Sequence, residues 1–169
     1  SIEKVLELDS ILKEKGDYWF VREPLGLMRR PLSRLDVSSR SIFAVIAAGS
    51  CFAGTLLELA LAADRSFMLD AEDGPRVAVT QMNYGAYPMA SGFPRLHAHY
   101  CGDVPAFPIG KFLEARDAKA AGLVTFAPDD LDWEDEVRIA VEERASLSPD
   151  ALTGMEASLR FSGPETMST

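Results

Sequence analysis

The stretch Ser41–Asp64, SIFAVIAAGSCFAGTLLELALAAD, limits what this 169-residue chain can fold into more than any other segment. Ser41–Ala48 is apolar and partly β-branched, which reads as a buried strand. Gly49 and Ser50 allow a turn, and Cys51–Gly54 passes into a helix running to about Ala62. A buried strand that feeds a helix through small residues belongs to α/β architecture, where the two elements pack as layers over one core.

The remaining pattern agrees with that class. Ile2, Val5, Leu6, Leu8, Ile11 and Leu12 recur at helical spacing, which predicts an amphipathic helix ending near Gly16. A second helix is expected over Tyr18–Leu35, bent or interrupted at Pro24 and Pro31. Arg65–Leu69 and Arg76–Thr80 read as strands around the acidic turn Asp70–Pro75, followed by a loop over Asn83–Pro88. Further helices are expected at Gly92–Tyr100, Ala106–Leu113, Ala115–Ala121 and Trp133–Ala145. One more belongs within Pro149–Thr169, ahead of a polar tail. No fixed-period repeat is visible, and the length suits one domain.

Charge narrows the choice of partner. Twenty-six acidic against 17 basic side chains leave a net charge of -9, which repels a nucleic-acid backbone. Arg29, Arg30, Arg34 and Arg40 form the one basic cluster, either a solvated helix face or a contact for an anion such as the phosphates of CoA. The two cysteines, Cys51 and Cys101, lack metal-ligand spacing and give no disulfide framework, so a reducing cytoplasm is the default. The longest apolar-rich stretch, Leu56–Ala63, is broken by Glu58 and is too short to span a bilayer. The acidic opening does not resemble a signal peptide, and a start at Ser suggests trimming or a piece of a longer protein.

The chemistry-bearing candidates sit at the strand-to-helix turn. Free N–H groups at a helix start favour an oxyanion, and Gly54 lets a ligand approach the main chain. Glu58, one turn further on, is placed to move a proton. The same Thr55-Leu56-Leu57-Glu58 string also fits a capping box, and on spacing alone capping is the commoner role. Cys51 fits a small buried turn residue better than a nucleophile. His97 and His99 lack the neighbours a metal site needs, so no metal is expected.

The segment resembles the crotonase (enoyl-CoA hydratase/isomerase) signature, with Glu58-Leu59-Ala60 followed by Asp64. Gly85, Pro88 and Arg95-Leu96 resemble the family's later positions, as does Phe112–Val124 with its Ala-x-x-Ala-Gly-Leu-Val ending. Within that family, SSRSIFAVI, GSCFAGTLLELALAADRSFML, MNYGAYPM and GMEASLRFSGPETM are similar to the benzoyl-CoA-dihydrodiol lyases, a ring-opening subgroup. Trp19–Glu23 and Arg29-Arg30 are similar too. The resemblance implies an α/β, ClpP/crotonase-like fold with C-terminal helices, present here in part and without its N-terminal strands, over residues 1–169. It also implies an acyl-CoA thioester substrate, with no separate cofactor because CoA is part of that substrate, and a homo-oligomer joined through its C-terminal helices.

The implied activity is ring opening of epoxidised or dihydrodiol benzoyl-CoA with release of formate. Enoyl-CoA hydration or isomerisation on a linear chain is one alternative, and a non-catalytic acyl-CoA-binding or assembly piece is another. Carried over position by position, the resemblance gives Thr55 an oxyanion N–H, Gly54 the open turn and Glu58 the first catalytic carboxylate. The second carboxylate falls at Gln81, where glutamine can orient water but cannot exchange a proton at neutral pH. Cys51, Phe52, Asn83, Tyr84 and Gly85 are the expected substrate-binding residues. A second oxyanion donor would come from a loop ahead of the first helix here.

Overall fold

The computed structural model describes residues 1–160, with side chains to Ser158; the end of the GMEASLRFSGPETM string and the polar tail lie outside the described residues. Strand β1 (Phe43–Ile46) and strand β2 (Arg65–Met68) pair in parallel, Phe43 opposite Arg65 and Ile46 opposite Met68. Helix α3 (Gly54–Leu61) crosses between them. Parallel neighbours need such a crossover, and the Ser41–Asp64 pattern supplied its strand and helix. Asp64 closes the unit: its carboxylate accepts the Ile42 N–H at 2.6 Å, while its own N–H donates to the Ile42 carbonyl at 2.8 Å.

Residues 126–129 line the far side of β2, where the Met68 N–H donates to the Phe126 carbonyl at 2.9 Å. The Phe67 and Phe126 rings stack there with centroids 5.1 Å apart. The main core joins Ala44 and Ile46 of β1, Leu57 and Leu61 of α3, and Met68 of β2 to Val77, Val79, Leu96 and Leu123. Burial of such side chains is worth about 1.5–3 kcal/mol each, which makes this unit the anchor for everything around it.

Helix α1 (Ile2–Glu14) packs on α3, and helix α2 (Trp19–Leu35) packs through Leu25 and Leu32 on Leu12, Met82 and Tyr87. The two prolines of α2 do not interrupt it. Each removes one i→i−4 bond, but Leu25 and Leu32 are held in a cluster with Leu12, Met82 and Tyr87, and that packing carries the helix through. In α1 the buried stripe is Ile2, Asp9 and Leu12, while Leu8 and Ile11 face solvent.

Later elements depart further from the expected pattern. Arg76–Thr80 is not a strand but extended chain with single bridges, Ala78 to Ala53 and Val77 to Leu113. Ala106–Leu113 is not a helix: Pro108 breaks the ladder, Gly110 has φ +72°, and the segment bonds back to Val77 and Val79. Gly92, at φ +87°, cannot start a right-handed helix, so α4 covers only Arg95–His99 behind Pro94. Helices α5 (Ala115–Ala120), α6 (Trp133–Ser146) and α7 (Pro149–Arg160) complete the order. None of the described helices is long and apolar enough to cross a membrane.

Candidate active site

At the start of α3 the chain enters through Ala53 and turns at Gly54, whose φ is +44°. Asp9, projecting from the buried face of α1, points at this turn. Its carboxylate accepts from the Thr55 N–H at 2.9 Å, the Thr55 hydroxyl at 2.5 Å and the Thr80 hydroxyl at 2.8 Å. With the Thr55 proton committed to Asp9, the Tyr87 hydroxyl, 3.0 Å away, donates to the Thr55 oxygen. Asp9 is therefore the anion at this helix N-terminus, where partial positive charge favours it. A Cβ at Gly54 would collide with the Asp9 carboxylate, so this glycine is required by close approach as well as by its φ.

One turn along α3, Glu58 is 1% exposed. It accepts from the Asn83 amide at 2.7 Å and from the Arg95 guanidinium at 2.6 Å. Arg95 also donates to Asp36 at 2.8 Å and to the Leu32 carbonyl at 3.1 Å. A buried cation is thus shared between two buried carboxylates from α3 and the end of α2. The capping-box expectation for Thr55 and Glu58 does not hold, because both side chains turn to other elements. The capping box forms instead at Thr80 and Asn83, around a short 3-10 helix, Gln81–Tyr84.

Gln81 is exposed at the first position of that helix and does not meet Glu58. Asn83 does, and also donates to the Gly54 carbonyl at 2.8 Å while accepting the Thr80 N–H at 2.9 Å. Cys51 packs beside Ile2, Ala53 and Ala78, and Phe52 packs on the main core. Tyr84 is largely exposed, and Gly85 follows with φ +129°. Thus Gly54, Thr55, Glu58 and Asn83 gather at one place, while Gln81, Tyr84 and Gly85 lie on its solvent side. His97 stacks on Phe93, and His99 Nε2 lies 2.7 Å from the Gly122 carbonyl.

Sequence reasoning missed Asp9 and gave Arg95 no role. Asp9 could have been noticed as the one acidic residue on the stripe Ile2–Leu12 where an apolar side chain belongs.

Burial holds the Glu58 carboxyl above the ordinary carboxylate range, outweighing the opposing effect of Asn83 and Arg95. Burial likewise raises the Tyr87 phenol. An acid whose folded value exceeds its unfolded one contributes stability that is complete below the unfolded value of about 4.5 and is lost as pH rises through the folded one. Urea midpoints of the unmodified chain, relative to Glu58→Gln, are expected to fall as pH rises from about 4.5. Parallel pH profiles for the two proteins would reject that linkage.

No protein-family model matches the chain. A benzoyl-CoA-dihydrodiol lyase from Aromatoleum evansii is 54% identical over 171 residues, covering 98% of this chain and 31% of that protein. An enoyl-CoA hydratase/carnithine racemase from Magnetospirillum magneticum superposes with a TM-score of 0.66 at 22% identity, covering 90% of this chain and 58% of its own. An enoyl-CoA hydratase from Bacillus anthracis gives a TM-score of 0.62 at 20% identity, over 88% of this chain and 57% of its own. The chain carries the crotonase fold. It spans about a third of the curated relative and somewhat over half of these crotonase-fold neighbours. Within this crotonase fold, the β1–α3 turn with Thr55 and Glu58 is the segment that the signature pattern marked, and Asp9, Arg95 and Asn83 are its immediate supports.

Proposed function

We propose that this chain is the thioester-holding section of a crotonase-type lyase that opens the ring of epoxidised or dihydrodiol benzoyl-CoA and releases formate. The observation that carries the reading is 54% identity along 98% of the chain to part of a benzoyl-CoA-dihydrodiol lyase. In this reading the Thr55 N–H donates to the thioester oxygen as negative charge develops there, once the Asp9 carboxylate gives way. Gly54 keeps side-chain atoms out of that approach. A donor of this kind, once free of Asp9, is worth about 10²–10³ in rate. Glu58, held above the ordinary carboxylate range by burial, retains a proton more readily than an exposed glutamate, and that proton can pass to or from the ring. Gln81, at the solvent side, orients water.

One observation favours a second reading, an acyl-CoA-binding or assembly piece without turnover. The Thr55 N–H is already bonded to Asp9, and Glu58 is enclosed by Asn83 and Arg95.

Turnover by the purified chain separates the two. Epoxybenzoyl-CoA and crotonyl-CoA would be offered separately, the CoA products read by mass spectrometry, and Gln81→Glu run alongside. The lyase reading expects formate and a ring-opened thioester from the first substrate. Hydration of crotonyl-CoA alone would make the chain a hydratase, and folded protein silent on both would leave the binding reading.

A further inference from the structure

Helix α1 closes the turn that the proposed function needs open. The two oxygens of Asp9 are not equivalent there. Oδ2 takes both the Thr55 N–H at 2.9 Å and the Thr80 hydroxyl at 2.8 Å, whereas Oδ1 takes the Thr55 hydroxyl. The Thr80 hydroxyl is fixed in that direction: its oxygen accepts the Met82 N–H at 3.2 Å, and its single proton goes to Asp9. Asp9 Oδ2 therefore marks a point where donors from separate elements, the start of α3 and the cap of the 3-10 helix, converge on one oxygen. Such a pair suits an oxygen that bears charge. The same oxygen also fills the space that Gly54 leaves by lacking a Cβ.

Away from Asp9 the hold on α1 is light. Ile2 and Leu12 are buried near its two ends and Val5 and Leu6 are half-buried, while Leu8 and Ile11 face solvent. The ion pair of Glu3 with Arg76, 3.3 Å long, is exposed on both sides and adds little. Lys15, Asp17 and Tyr18 are exposed in the link to α2. A helix with few buried contacts and an exposed link opens as a unit ahead of the core. Asp9 regains its hydration on leaving, so the opening strands no charge.

We infer that α1 is an internal inhibitor of this turn: Asp9 occupies the oxygen position set by the Thr55 N–H and the Thr80 hydroxyl, and that position opens when α1 lifts from α3. Thr80 is then a second donor to the incoming oxygen. That this oxygen belongs to a thioester rests on the proposed function; the closure by α1 does not. An internal occupant weakens an outside ligand in proportion to the fraction of time the turn stands open.

Two measurements on the full chain test the closure. The first is hydrogen exchange read by mass spectrometry. Helix α1 should exchange as a block about tenfold faster than β1, α3 and β2, and Asp9→Asn should speed α1 about tenfold further without changing that core. Exchange of α1 in step with the core would overturn the closure. The second is affinity for benzoyl-CoA and for S-benzyl-CoA, a thioether in which CH2 replaces the carbonyl. Asp9→Asn should lower Kd for benzoyl-CoA about tenfold and leave the thioether unaltered, and adding Thr80→Val should reverse the gain. Leu12→Ala, which loosens α1 without touching either donor, should also tighten benzoyl-CoA, and it carries the test if Asp9→Asn does not fold. Equal effects on the two compounds would overturn the oxygen position. Failure of both to bind any variant, with α1 exchanging as expected, would keep the closure and remove the thioester reading.

Discussion

Replacing Arg95 with methionine is expected to cost about 3–5 kcal/mol, a large part of the 5–15 kcal/mol by which a domain of this size is stable. Methionine fills much of the volume but leaves Glu58 and Asp36 facing each other without the cation between them. Both carboxylates are almost fully buried, so neither can recover its lost solvation without opening the core. The remaining donors, the Asn83 amide to Glu58 and the Ala90 N–H to Asp36, are one apiece. The check is a urea titration of the variant and the unmodified chain, with slopes compared as well as midpoints. The deficit should narrow as pH is lowered, because a protonated Glu58 no longer carries the uncompensated charge. A loss below about 1 kcal/mol, or one independent of pH, would mean that the buried ion pair is not what anchors α4 to α2 and α3.

The second large effect concerns Asp9 and Gly54 as a pair. Asp9→Ala strands the Thr55 N–H and two hydroxyls in a buried setting, at about 1–3 kcal/mol for each donor that finds no other partner. Gly54→Ala meets three obstacles: its φ of +44°, the Asp9 carboxylate and the Thr80 side chain. The strain of φ, about 1–2 kcal/mol, and the crowding by Thr80 persist whatever stands at position 9, but the clash with Asp9 does not. The double variant is therefore expected to be less destabilised than the sum of the single ones, with a coupling of about 0.5–3 kcal/mol. Additive costs would show that α1 shifts freely and that Asp9 does not dictate the glycine.

These two networks show how far the sequence could be read. The β1–α3–β2 unit was visible because its signals are local: an apolar run, small turn residues, then helical spacing closed by Asp64. The Ala106–Leu113 segment was misread because its composition suits a helix, while Pro108, Gly110 and bonding partners far back at Val77 and Val79 decide otherwise. Counting back from Arg95 placed the second polar group at Gln81. A 3-10 helix advances about 120° per residue, so positions 81 and 83 point in different directions, and Asn83 is the one turned inward. Asp9 lies 46 residues from Thr55, and its meaning exists only once α1 is docked.

Asn83 leaves no freedom in how its amide is oriented, since its oxygen takes the Thr80 N–H and its nitrogen serves Gly54 and Glu58. Conversion of that nitrogen to oxygen, the ordinary hydrolytic ageing of asparagine, would leave the Thr80 bond intact. It would also set a new negative oxygen against the Glu58 carboxylate and the Gly54 carbonyl in a buried space. The polar floor of the site thus depends on one side chain remaining an amide.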